Sequence, residues 1–215
     1  MSTFLVFGAT GGTGKHFVEI CLANGHTVRA LVRTPAKLGA TLGHERLAVT
    51  QGSIGDAELL EPLVRGADYV VCMVGDAAAQ QAADVNAAFV RTLVPLMRRL
   101  GVARLLYQAG ALSRHYRLPL PAASWLLRNT LARSGGLLGQ HRDNEAVIQF
   151  LFHEAQDIEW IVHRAAIIYK GPSRGVLVRS ESRSGLAAFV DIAEYNYRAV
   201  QDPTAVHTCD LSVYQ

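Results

Sequence analysis

Near the amino terminus the chain reads FGATGGTGK, with glycines at 8, 11 and 14. Glycine lets a backbone turn tightly and lets another group come close, so such a loop can present bare amide N–H groups to an anionic oxygen. The preceding run, Thr3 to Phe7, has the aromatic and β-branched types of a strand, and Lys15 to Asn24 has helical spacing. A glycine loop between strand and helix is the arrangement that seats a dinucleotide diphosphate on a helix amino terminus. Gly8, Thr10, Gly11, Gly12, Thr13 and Gly14 are the residues expected to hold it; the plainer alternative is a tight turn with no ligand. A nucleoside triphosphate loop does not fit, because His16 stands where Ser or Thr would ligate magnesium and Gly14 follows Gly8 by six residues, not five.

Which dinucleotide binds is set about twenty residues further on, where an acidic side chain would bind the free ribose hydroxyls of NAD. The stretch VRALVRTPAKL contains none, and instead carries Arg29, Arg33 and Lys37. A guanidinium at Arg33 can pair with a 2′-phosphate, and nothing acidic is there to repel it. The expected cofactor is therefore NADP(H), the alternative for Arg33 being a solvated surface charge.

These residues need a scaffold, and the chain supplies one by repetition. HTVRALVR, LAVTQGS, ADYVVCMVG and ARLLYQAGA read as strands two to five, separated by the helical segments DAELLEPLVRG and VNAAFVRTLVPLMRRLG. HRDNEAVIQFLFHEAQ is a further helix, DIEWIVHRAAIIY a sixth strand with its turn, FVDIAEYNYRAVQD a late helix and HTCDLSVY a last strand. Alternation of this kind predicts an α/β fold, a doubly wound parallel sheet with helices on both faces. No linker interrupts it, so residues 1–215 form one domain, with a lid or insertion expected at 114–140, where prolines and paired glycines break the rhythm. In such sheets the strand carboxyl ends border the ligand crevice. Gly75, Asp76, Gly110, Ala111, Ala165 and Ala166 are thus expected around the nicotinamide, although Asp76 equally suits a helix cap.

Composition narrows the class. Half of the residues are hydrophobic and only 18% are charged, so the chain folds. The net charge of +3 is spread without a basic run, which argues against nucleic acid and leaves room for an anionic small molecule. Cys21, Cys72 and Cys209 lie far apart among apolar neighbours and read as buried reduced thiols. The first apolar run is too short for a secretory signal, and no stretch suits a membrane span, so a cytoplasmic protein is expected. Oligomeric state is not legible, and no metal ligands are assigned.

FGATGGTG, LVRTPAKL, DYVVCMVG, IEWIVHRAAI and FVDIAEY, in that order, resemble the atypical short-chain dehydrogenase/reductase group that includes NmrA-like regulators and NADPH-dependent flavin and biliverdin-IXβ reductases. The resemblance spans nearly the whole chain and implies an NAD(P)-binding Rossmann domain. Typical members of the wider family use a Tyr-x-x-x-Lys pair as proton donor. Here Tyr107 is followed four residues on by Ala111, Tyr116 by Leu120 and Tyr195 by Ala199. His141 falls where the flavin-reductase branch looks to carry a histidine, and is the candidate catalytic residue, able to bond substrate or act as an acid; the plainer reading is a helix-surface histidine. Arg164 matches a structural arginine of the group. Tyr116, Trp125, Tyr169 and the arginines at 114, 117, 128 and 174 lie in segments expected to cover the site, where they would suit a planar, anionic substrate; the alternative for Trp125 and its leucines is core or a subunit contact.

The expected activity is NADPH-dependent hydride transfer to a flat conjugated acceptor such as a flavin or quinone, which needs little acid catalysis. A non-catalytic NADP(H)-binding redox sensor of NmrA type is the rival class, and a pathway-specific reductase or isomerase the third.

Overall fold

A computed structural model of the protein describes residues 1–132 and 137–215. Strand β1 (Thr3–Phe7) occupies the middle of the sheet, and its residues account for that position. Successive strand side chains alternate faces, so Leu5 and Phe7 enter one core layer while Phe4 and Val6 enter the other. Covered on both sides, the strand is apolar throughout. The chain continues through helix α1 (Gly12–Ala23), β2 (Thr27–Val32), a short 3₁₀ turn, β3 (Leu47–Gln51), α2 (Ala57–Val64) and β4 (Tyr69–Cys72). Then come α3 (Ala77–Ala82), α4 (Val85–Leu100), β5 (Arg104–Gly110), α5 (Ala122–Leu127), α6 (Leu138–Glu154) and β6 (Glu159–Ala165). The last third holds β7 (Ile167–Tyr169), β8 (Leu177–Ser180), β9 (Leu186–Ala188), α7 (Phe189–Gln201) and β10 (Cys209–Tyr214).

The main sheet runs β3-β2-β1-β4-β5-β6-β10-β8. The chain therefore builds outward from β1 to β3, then crosses back to β4 on the other side of β1, which opens a crevice above the carboxyl end of β1. Helices α1 and α7 cover one face and α2, α4 and α6 the other, each with its own buried apolar layer. Helix α1 ends where the sequence expects: Asn24 caps it, Gly25 takes φ of 76°, and the His26 N–H reaches back to the Cys21 carbonyl. The three cysteines are buried and unpaired.

The structure departs from the expected all-parallel sheet at one edge. Strand β8 pairs antiparallel with β10 over Leu211–Tyr214, after β10 has paired parallel with β6. Strands β7 and β9 form a separate two-stranded ribbon. Elements this short carry no measurable periodicity, which is why β7, β8, β9 and α3 are not apparent in the sequence. Helix α6 also begins at Leu138, inside the segment expected as an insertion. Residues 114–132 carry α5 and a wide helical turn at Arg128–Ala132, whereas the paired glycines at 135 and 136 lie outside the described residues. Trp125 and Leu126 are more than half exposed and so are not core. Among the described residues no helix is long and apolar enough to cross a membrane.

Candidate cofactor and active site

The glycine loop is wedged between a strand end and a helix start. Gly8 has φ of 87°, and a Cβ there would lie 2.5 Å from the Met73 carbonyl oxygen at the end of β4. A Cβ on Gly14 would lie 2.0 Å from the Gly8 carbonyl oxygen, so α1 rests directly on the loop. Gly11 caps α1 without a side-chain bond, which leaves the first-turn amides open toward the crevice. This cradle fits a dinucleotide diphosphate, since bare N–H groups meet it where any side chain would collide.

Beside the loop lies a cleft of about 370 Å³ lined by Gly8, Thr10 and Gly11, by Arg33 and Lys37 after β2, by Gly52 to Ile54 after β3, and by Gly75 and Asp76 after β4. It shares Met73, Val74 and Gly75 with a second cavity of about 130 Å³, lined by Gln108, Ala109, Gly110, Gln140, Asn144, Ala165, Ala166 and Ile168. One continuous crevice thus runs over the carboxyl ends of β1 to β6. Of the expected residues, Gly8, Thr10, Gly11, Arg33, Gly75, Gly110, Ala165 and Ala166 line it, as does Asp76, which lies in the larger cleft beside Arg33 and not in the second cavity with Gly110 and Ala165; His141 lines neither. Gly12, Thr13 and Gly14 form the first turn of α1 beneath the loop, and Gly12 also faces the Phe189 ring, which a Cβ would meet at 2.5 Å. Ala111 donates its N–H to the Ala165 carbonyl at 2.8 Å, tying β5 to β6 instead of lining the cavity.

Asp76 caps α3 by accepting from the Ala79 N–H at 3.2 Å, and it also accepts from the Arg33 guanidinium at 3.0 Å. The Ala79 N–H and then Arg33 hold its carboxyl below the usual carboxylate range. Beneath it, a buried polar network fixes the floor. The Asp143 carboxyl accepts from the Gln80 amide and from the N–H groups of Asn86 and Ala87. Asn86 donates to the Tyr107 hydroxyl at 2.9 Å, and that hydroxyl donates to Asn144 at 2.7 Å. The wall-forming Gln108 accepts from Asn196, which bonds buried His163.

His141 is buried, not on the helix surface: it is 5% exposed and packs against Gly110, and among the described residues both ring nitrogens lack a partner. Burial, reinforced by the nearby Arg128 charge, pushes it down to about 4, so the ring is neutral at physiological pH. Arg128 pairs with Glu145 beside it. Arg164 is buried and donates to the Cys209 carbonyl, a structural role. Tyr116 does not cover the crevice: its ring stacks on Phe152 at 4.1 Å, near the amino ends of the strands, and Arg117 lies over the same Phe152 ring. Tyr169 ends β7 beside crevice-lining Ile168, and Arg174 lies over the Tyr214 ring.

Sequence reasoning missed Gly52 to Ile54, although the strand-end rule applied to β3 would have found them. It also missed Gln140 and Asn144, whose four-residue spacing places both on one face of α6.

A family model described as NAD(P)H-binding matches residues 8–203. Sterol demethylase protein B of Methylococcus capsulatus is 38% identical over 117 residues, 50% of this chain and 34% of that protein. A 3 beta-hydroxysteroid dehydrogenase/Delta 5→4-isomerase of Mycobacterium tuberculosis is 32% identical over 117 residues, 49% of this chain and 31% of its own length. The chain therefore spans about a third of these relatives. Oxidoreductase AgnL4 of Paecilomyces divaricatus is 22% identical over 94% of this chain and 81% of its own. The fold is shared with ChuY, an anaerobillin reductase of Escherichia coli O157:H7, at a TM-score of 0.78 and 19% identity over 99% of this chain and 97% of that one. It is shared also with a Veillonella parvula short-chain dehydrogenase/reductase in complex with NADP, at 0.77 and 15% identity over 98% and 94%.

Proposed function

We propose, from the premise that this chain belongs to the NAD(P)H-binding family and is an atypical short-chain dehydrogenase/reductase, that it is an NADPH-dependent oxidoreductase acting on a flat conjugated acceptor such as a flavin or quinone. The observation that carries this reading is the second cavity: Gly75, Gly110 and Ala165 wall it with almost no side chain, and its polar groups are amides of Gln108, Gln140 and Asn144. Small walls admit a planar ring, and amides orient it without offering an acidic proton. When bound, NADPH supplies the hydride, and flavin- or quinone-like acceptors take it with little help from an acid.

The chain's own residues then bind, orient and exclude water. The open amides of α1 and the loop hold the diphosphate, while Arg33 and Lys37 recognise the 2′-phosphate. No carboxylate ends β2 to take the ribose hydroxyls of NAD. Asp76 lines the cleft beside Arg33, and Ala111 keeps β5 and β6 in register at the floor of the crevice. His141 is the candidate catalytic residue. Its neutral ring lies behind the Gly110 wall of the cavity, with both nitrogens buried there. Helix α5 (Ala122–Leu127) is the part of the expected 114–140 insertion that would serve as a lid, its exposed Trp125 and Leu126 available to a bulky planar substrate. The same two exposed residues favour a second reading, a non-catalytic redox sensor that docks a partner there. The steroid-modifying relatives favour the third, a pathway-specific reductase or isomerase.

The test is to mix the protein with NADPH and FMN or a quinone and follow the reduced-nicotinamide absorbance, expecting turnover that His141→Ala lowers. Tight NADPH binding with no turnover on either acceptor would overturn the enzyme reading in favour of the sensor. Arg33→Glu is expected to weaken NADPH far more than NADH; equal loss of both refutes the assignment of Arg33.

A further inference from the structure

Arg33 and Asp76 stand on opposite banks of the larger cleft. Arg33 follows β2 and Asp76 follows β4, while β1 and its glycine loop lie between those strands. The Arg33 guanidinium nevertheless donates to Asp76 Oδ2 at 3.0 Å, so the pair bridges the mouth of the cleft.

The two partners differ in freedom. Asp76 is anchored: its Oδ1 accepts from the Ala79 N–H, and its own N–H donates to Gln80 Oε1 at 3.1 Å. Gln80 is buried and donates in turn to buried Asp143 at 2.7 Å. The Arg33 side chain is 73% exposed, and among the described residues its guanidinium makes no other hydrogen bond. The arginine is the partner free to swing. A 2′-phosphate gripped by its paired N–H groups competes with a carboxylate that cannot follow it and that stays nearby as a like charge.

We infer that Asp76 is a specificity-determining residue that competes with the cofactor's 2′-phosphate for Arg33 and so lowers the preference for NADPH over NADH. This rests on the assignment of Arg33 to that phosphate. NADH makes no demand on Arg33 and binds with the pair intact. Any repulsion between Asp76 and the diphosphate is common to both nucleotides and cancels in the ratio of their affinities.

Calorimetry at low ionic strength measures NADPH and NADH affinities for the wild type, Asp76→Asn, Arg33→Ala and the double variant. Asparagine is as good a helix cap as aspartate, so the fold of α3 is kept while the charge is removed, and a thermal melt checks this. Asp76→Asn is expected to raise the NADPH-to-NADH preference about fivefold, the worth of an exposed ion pair, through tighter NADPH binding. In the Arg33→Ala background the same change should raise the ratio by clearly less, because only the direct repulsion between Asp76 and the 2′-phosphate is left to remove. An unchanged or lowered ratio in Asp76→Asn, or an equal gain without Arg33, overturns the inference. If Arg33→Ala shifts the ratio but Asp76→Asn does not, the role of Asp76 alone falls; if Arg33→Ala leaves the ratio unchanged, the phosphate assignment falls with it.

Discussion

Replacing Gly14 by alanine is expected to abolish useful cofactor binding while leaving a folded protein. The added Cβ would sit 2.0 Å from the Gly8 carbonyl oxygen, 2.8 Å from its carbon and 2.9 Å from the Ala9 Cα, all backbone atoms. Non-bonded heavy atoms settle at roughly 3.5 Å, so loop and helix must part by more than about 1 Å. Gly8 has nowhere to go, because the space behind it is taken by the Met73 carbonyl, and its own carbonyl already accepts the Gly11 N–H at 3.0 Å. The amides that face the diphosphate are displaced by that distance, which at a positioned site costs on the order of a hundredfold in function. Overpacking costs stability by about 1–3 kcal/mol, a melting shift of roughly 2–12 °C for a chain of this size. Gly12→Ala is the matched control. Its Cβ meets the Phe189 ring at 2.5 Å, a side chain that can turn away, so stability falls while NADPH affinity is largely kept. Calorimetry with NADPH and thermal melts on both variants separate the two effects. Near wild-type NADPH affinity in Gly14→Ala would refute the account of the loop.

Asp143→Ala strands the Gln80 amide and two α4 N–H groups, and should cost about 3 kcal/mol in urea unfolding; a loss under about 1 kcal/mol would contradict the network. Tyr107→Phe removes the hydroxyl between Asn86 and Asn144 and should cost about 1–2 kcal/mol with no change in NADPH affinity, measured by the same unfolding and by calorimetry. Burial holds His163 and His141 down from the ordinary 6.5 to about 4 in the folded chain. As pH falls below about 6.5 the unfolded state protonates first, so stability is lost progressively between there and about 4, by up to about 3 kcal/mol per ring. Unfolding at pH 7, 5.5 and 4.5 should show that decline and a shallower one in His163→Gln; identical slopes would exclude His163 as a contributor.

How far the site could be read in advance depends on how local its causes are. The glycine loop is visible because the constraint and the residues that meet it lie within a few positions: a tight turn, an open helix start and a neighbouring strand. Arg33 is legible for the same reason, as is the identity of Gly75, Gly110 and Ala165 as small residues at strand ends. His141 reads from its helix as a surface residue, and only the packing of α6 under Gly110 buries it. Tyr116 and Trp125 have the right chemistry to cover a ring, but contact with Phe152 draws the first away and the second stays more than half exposed.

The sequence by itself determined the alternating elements and the glycine loop between β1 and α1, because periodicity and glycine geometry act over short stretches of chain. Tertiary structure alone decided the antiparallel edge strand β8, the burial of the His141 ring and the bond between Arg33 and Asp76. Those depend on which strand ends become neighbours, and charges or rings 43 residues apart in the chain meet only when the sheet has brought β2 and β4 to either side of β1.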